Sequence, residues 1–116
     1  MKKNILIVDS RPPMLAALSA LFYEYRTETM QSAMGALHLI NTTRYTPDLC
    51  ILNIYAPDDP NVPRLVKELR DREIPVVFLG AEEGKTVTSY AGDLITRPFD
   101  LSELLRRIDR LLEPAT

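Results

Sequence analysis

Residues 47–54 read Pro-Asp-Leu-Cys-Ile-Leu-Asn-Ile. Pro47 and Asp48 break the pattern before them, and four apolar residues follow in a row, Leu49 to Leu52. A run without alternation fits a strand covered on both faces, which is the habit of parallel sheets. It stops on a polar amide, Asn53. Three more runs share this form: Ile5 to Val8, followed by Asp9 and Ser10; Val76 to Leu79, followed by Gly80; and Leu94 to Thr96, followed by Arg97. In an open α/β sheet such strand ends converge on one edge, where these folds place their chemistry.

The stretches between the runs carry helical period, the alternation expected of βα units stacked around a parallel sheet. Pro12 and Pro13 open the first helix at positions where a missing N–H costs nothing. Leu15, Leu18, Leu21 and Phe22 form its inner stripe. Arg26 to Met30 is polar and suits an edge strand. Ser32 caps a second helix with Ala33, Ala36, Leu37 and Ile40 inward. A loop from Tyr55 to Asn61 precedes a helix through Val62, Leu65, Val66 and Leu69. Residues 81–92 give a poor helical signal, so a fourth helix is expected to be short or irregular. Asp100 or Ser102 starts the closing helix, with Leu101, Leu104, Leu105, Ile108, Leu111 and Leu112 inward.

The chain has 116 residues, 46% of them hydrophobic and 26% charged, so residues 1–116 are expected to form a single domain with its own core. The net charge of -2 argues against a general grip on nucleic acid, which needs a basic stripe. No apolar window is long enough for a membrane span, and Met1-Lys2-Lys3 leads into a strand, not a signal peptide. The single cysteine, Cys50, reads as a small buried hydrophobe in a reducing, cytoplasmic setting, and it makes a zinc cluster implausible.

ILIVD at the first strand end, PDLCILNI at the third, IPVVFLGA at the fourth and TRPFD at the fifth together resemble the receiver domain of bacterial two-component response regulators. The likeness covers essentially the whole chain. It implies a flavodoxin-like α/β fold: five parallel strands in the order 2-1-3-4-5, with helices on both faces. In that family the third strand ends in an aspartate that accepts a phosphoryl group. Two acids after the first strand hold magnesium, a Ser or Thr after the fourth contacts the phosphoryl group, and a lysine before Pro-Phe pairs with it. On this sequence the acid pair becomes Asp9 and Ser10, the nucleophile Asn53, the hydroxyl Gly80 and the lysine Arg97. The switch aromatic becomes Leu94.

The resemblance therefore implies a pseudo-receiver. A carboxylate can form an acyl phosphate because it is an anionic oxygen nucleophile, and the amide of Asn53 is not. Magnesium wants several hard oxygens. Each carboxylate lost at about 4 Å removes roughly 8 kcal/mol of gross attraction to a dication at an effective dielectric near 20. With Asp9 the one acid left, magnesium binding is expected to be lost or weak, and no cofactor is expected. Arg97 keeps a positive charge but prefers a lasting bidentate pair with a carboxylate. An Asp9–Arg97 salt bridge in place of ion and lysine is the expectation.

Other polar residues have plainer readings. Asp58 and Asp59 read as turn or cap residues. His38 lies on the outer face of its helix. Tyr55 is either a plug over the old site or a partner contact. Arg106, Arg107 and Arg110 read as a solvated helix face. The reading is a non-enzymatic, phosphorylation-independent interaction module in a signalling or phosphorelay pathway. Its expected partner is a signalling protein or a second copy of itself, with neither nucleic acid nor membrane. Two alternatives stay open: a receiver still phosphorylated at a displaced acid, and a small-molecule binder using the strand-end crevice.

Overall fold

In the computed structural model the backbone is described for residues 2–53, 59–82, 93–97 and 100–113, and side chains for the same residues except 80–82 and 93–97. Strand β1 (Asn4–Val8) leads to helix α1 (Pro12–Leu21), β2 (Arg26–Met30), α2 (Ala33–Thr42), β3 (Leu49–Asn53) and α3 (Asn61–Asp71). Strands β4 (Val76–Glu82) and β5 (Asp93–Arg97) follow, and α4 (Leu101–Leu111) closes the described part. The strands form one parallel sheet in the order β2-β1-β3-β4-β5, as the sequence implied.

Both faces of the sheet are covered, which is why its inner strands read as unbroken apolar runs. Ile5, Ile7, Leu49, Ile51, Val77 and Leu79 pack against Leu15, Leu18 and Phe22 of the α1 segment and Leu104 and Ile108 of α4. Their neighbours Leu6, Val8, Cys50, Leu52, Val76 and Phe78 face α2 and α3. A slip of one residue in any strand would exchange these two sets, so the register is strongly specified. Edge strand β2 is mostly exposed, and its Arg26 and Glu28 discourage further pairing.

Local chemistry sets the element ends. Ser32 Oγ accepts the Gly35 amide at 3.0 Å, and Asp100 Oδ1 accepts the Ser102 amide at 2.8 Å, so both expected caps form. Asp59 Oδ1 accepts the Asn61 amide at 2.9 Å ahead of α3, the turn role read for it. Asp48 exchanges two bonds with Asn4: it accepts the Asn4 amide at 2.7 Å and donates its own amide to the Asn4 carbonyl at 2.8 Å. This pins the amino ends of β1 and β3 together.

Two expectations need correction. Strand β4 does not end at Gly80 but runs to Glu82, with a register shift against β5 between Leu79 and Ala81. A glycine inside a strand commonly marks such a bulge, because it has no side chain to place. Leu101 and Leu111 do not face the core but stand 43% and 41% exposed at the two ends of α4, whose packed side is Leu104 and Ile108. Leu37, Leu21, Leu105 and Leu112 pack against the core as expected, each partly buried. The expected short fourth helix, with Tyr55 and Asp58, lies outside the described residues.

Candidate functional site

The parallel register aligns the strand ends. Val8 is level with Leu52, so Asp9 follows beside Asn53, which is itself level with Leu79. Gly80 comes one step later on β4, and Arg97 closes β5 opposite Glu82. Leu94 lies further down β5, opposite Phe78. Asp9, Ser10, Asn53, Gly80 and Arg97 therefore sit at or next to the carboxyl edge of the sheet, with Leu94 further back on β5. The side chains of Leu94 and Arg97 are outside the described set, and the expected Asp9–Arg97 bridge with them.

Asp9 and Asn53 are the two buried polar residues among those described, at 1% and 5% exposure. Asn53 donates Nδ2–H to Asp9 Oδ2 over 2.7 Å. The Arg11 amide donates to Asp9 Oδ1 over 2.8 Å, a turn that delivers the chain to Pro12 and α1. The Asp9 amide itself donates to the Met30 carbonyl at 3.0 Å. A carboxylate removed from water costs several kcal/mol. The two bonds to its oxygens, at about 1.5–3 kcal/mol each for charged partners, offset that cost.

Each oxygen of Asp9 thus holds a hydrogen-bond donor. Ser10 is exposed and neutral. Among the described residues no group of three or more His, Cys, Asp or Glu could hold a metal ion. Two neutral side chains and one carboxylate with both oxygens engaged do not fit a magnesium ion, which asks for near-octahedral oxygen donors.

A cavity of about 230 Å³ opens beside this pair. Val8, Ala33, Leu52 and Val62 give it apolar walls. Asp9, Ser10 and Asn53 line one side, and Gln31, Ser32 and Asp59 line the other. Sequence reading did not single out Gln31, and it took Ser32 and Asp59 only as helix-start residues. Their position is nonetheless one the topology announces: after β1 the chain turns to one side and after β3 to the other, which opens a crevice between them. His38 is exposed, as expected. No described helix is long and apolar enough to cross a membrane.

No family model matches the chain. It is 31% identical over 125 residues to the response regulator MprA of Mycolicibacterium vanbaalenii, covering all of this chain and 53% of that protein. It is 29% identical over 118 residues to the transcriptional regulatory protein TrcR of Mycobacterium tuberculosis, covering 94% of this chain and 45% of TrcR. The chain thus spans about half the length of these curated relatives. Among solved structures, the signal receiver domain of a signal transduction histidine kinase from Syntrophus aciditrophicus superposes with a TM-score of 0.78 at 28% identity. That match covers 98% of this chain and 97% of the other. The parallel sheet order, the strand-end site and these likenesses converge: the chain is a response-regulator receiver domain.

Proposed function

We propose that this receiver domain works without phosphoryl transfer, as a protein-interaction module in signal transduction, and that it is not an enzyme. The observation that carries the reading is the buried bond from Asn53 Nδ2 to Asp9 Oδ2 at 2.7 Å. Where the family has an anionic nucleophile beside its acids, this chain has a neutral amide whose nitrogen is turned towards the remaining acid. That geometry suits a permanent contact: it compensates the charge of Asp9 without a metal and offers no nucleophilic oxygen. Gly80 and Arg97, in place of the hydroxyl and the lysine, agree with the same loss.

On this reading the domain is cytoplasmic and holds one conformation, and its information lies in what it binds, a signalling protein or a second copy. The net charge of -2 makes DNA an improbable ligand for the domain itself. The test is incubation with magnesium and acetyl phosphate followed by intact-mass measurement. An unchanged mass is the expected result. A phosphoryl adduct, mapped to any acid of the chain, overturns the proposal.

A further inference from the structure

We infer that the outward side of α1 is a contact surface for a second copy of this chain, which packs there antiparallel about a two-fold axis. The inference rests on the reading of the domain as an interaction module, and it chooses between the two partners that reading allows.

Helix α1 shows water an unusual face. From Pro12 through Tyr23, the helix and its first turn residues, no side chain carries a charge. Leu15, Leu18 and Phe22 take the core side. Pro12, Pro13, Ala16, Ala17, Ala20 and Tyr23 stand exposed on the other. Tyr23 is 73% exposed, the highest value among the large apolar side chains described. A surface helix ordinarily turns a polar face outwards, and one that is apolar all round belongs where another surface covers it. The other helices follow the ordinary pattern: α2 turns out His38 and Asn41, α3 Arg64 and Lys67, α4 Arg106 and Asp109.

Charge selects the occupant. Arg11 stands at the amino end of this apolar face and Glu24 at its carboxyl end, both exposed. Each repeats the sign of the helix dipole at its own end, positive at the start and negative at the finish. Nor does α1 carry an acid in its first turn or a base in its last. An antiparallel copy reverses the mismatch. With the axis beside residues 17 and 18, Glu24 meets the partner's Arg11, Tyr23 meets the partner's Pro12, and each dipole end faces its opposite. A parallel copy would bring like ends together. The same patch then serves both chains, which is the condition for a closed two-fold pair. Ala16, Ala17 and Ala20 let the two axes approach closely, since interaxial distance is set by the side chains at the contact.

The face is about 18 Å long at 1.5 Å per residue. One such helix covers less than the roughly 800 Å² per partner of a standard interface, so the pair belongs with weak, reversible contacts.

The test is sedimentation equilibrium from about 10 µM to about 1 mM, without magnesium or phosphoryl donor, beside amide NMR over the same range. Monomer should give way to dimer, with concentration-dependent shifts at Ala16, Ala17, Ala20 and Tyr23. Ala17→Glu sets two like charges at the axis and should leave the chain monomeric throughout. Its urea midpoint should hold, because the position is exposed. Arg11→Glu and Glu24→Arg should each weaken the dimer about tenfold, and the two together, which exchange the ends, should restore it. A monomer at every concentration, a dimer indifferent to Ala17→Glu, or a double variant as weak as the single ones overturns the inference. Those results leave a different signalling protein as the partner, whereas the phosphorylation-independent reading falls only on a phosphoryl adduct. The two failures are thus told apart.

Discussion

The side-chain amide of Asn53 donates to Asp9 Oδ2 over 2.7 Å, and both residues are closed off from water at the carboxyl edge of a parallel sheet. This pairing joins the ends of β1 and β3, two strands that diverge in the chain immediately afterwards. It acts as a latch in which a neutral amide holds the one buried carboxylate among the described residues.

Restoring the acid tests that latch. Asn53→Asp removes the donor and sets a second carboxylate against Asp9, and leaving a buried acceptor without its hydrogen bond costs about 1–3 kcal/mol, more for a charged one. Two facing carboxylates raise the proton affinity of one of them in the folded state. The variant's stability should then be fullest at acid pH and be lost as the pH rises through the raised value. Urea unfolding at pH 5 and pH 7 checks this, with a larger deficit expected at pH 7. An equal deficit at both values would show that the two groups do not face each other.

Tyr25 links the turn after α1 to α4 by donating its hydroxyl to Asp109 Oδ1. Burial first, then the bond and the charge of Asp109, push its hydroxyl up from 10.0 to about 12. The folded value lies above the unfolded one, so this contribution is whole below pH 10 and is lost as the pH climbs towards 12. Tyr25→Phe should delete one late-titrating tyrosinate from the absorbance titration and flatten the loss of stability in that window. It should cost about 0.5–1.5 kcal/mol at neutral pH.

Cys50 is the second residue of β3, level with Leu6 on one side and Val76 on the other. It is fully buried, and burial pushes its thiol up to about 12. Alkylating reagents at pH 8 should leave it untouched until the sheet opens, so its labelling rate should track global unfolding across a urea series. Labelling within minutes in native buffer would mean the strand is far less secure than its packing indicates.

Glu73 takes φ 59 just past the end of α3, where its amide bonds the Arg70 carbonyl at 2.9 Å and the Ile74 amide bonds the Leu69 carbonyl at 2.8 Å. An L residue in this left-handed region carries roughly 1–2 kcal/mol of strain. Glycine relieves it but adds about 0.4–1 kcal/mol of unfolded-chain entropy. Glu73→Gly should therefore stabilise the domain by about 0.7 kcal/mol, seen as a Tm about 3 °C higher. A lower Tm would show that the glutamate side chain contributes more than the backbone loses.

Much of this protein was legible without coordinates, for a physical reason in each case. Strands buried on both faces leave unbroken apolar runs, so β1, β3 and β4 announce themselves in the sequence, as do the caps Ser32 and Asp100. The residue types at Asn53 and Asp9 are equally legible, because nucleophilicity and charge belong to residue types, and they ground the proposal of a domain working without phosphoryl transfer.

What residue types could not express was distance. The pairing of residues 9 and 53 depends on register across two strands, and the bulge at Gly80 on how β4 meets β5. The cavity needs α2 and α3 to start on the same side of β1, so Gln31 and Asp59 join it from segments with no local sign of a site. Leu101 and Leu111 show the same limit from the other side: their apolar side chains suggest an inward face, but the rotation of α4 turns Leu104 and Ile108 to the core and leaves these two exposed.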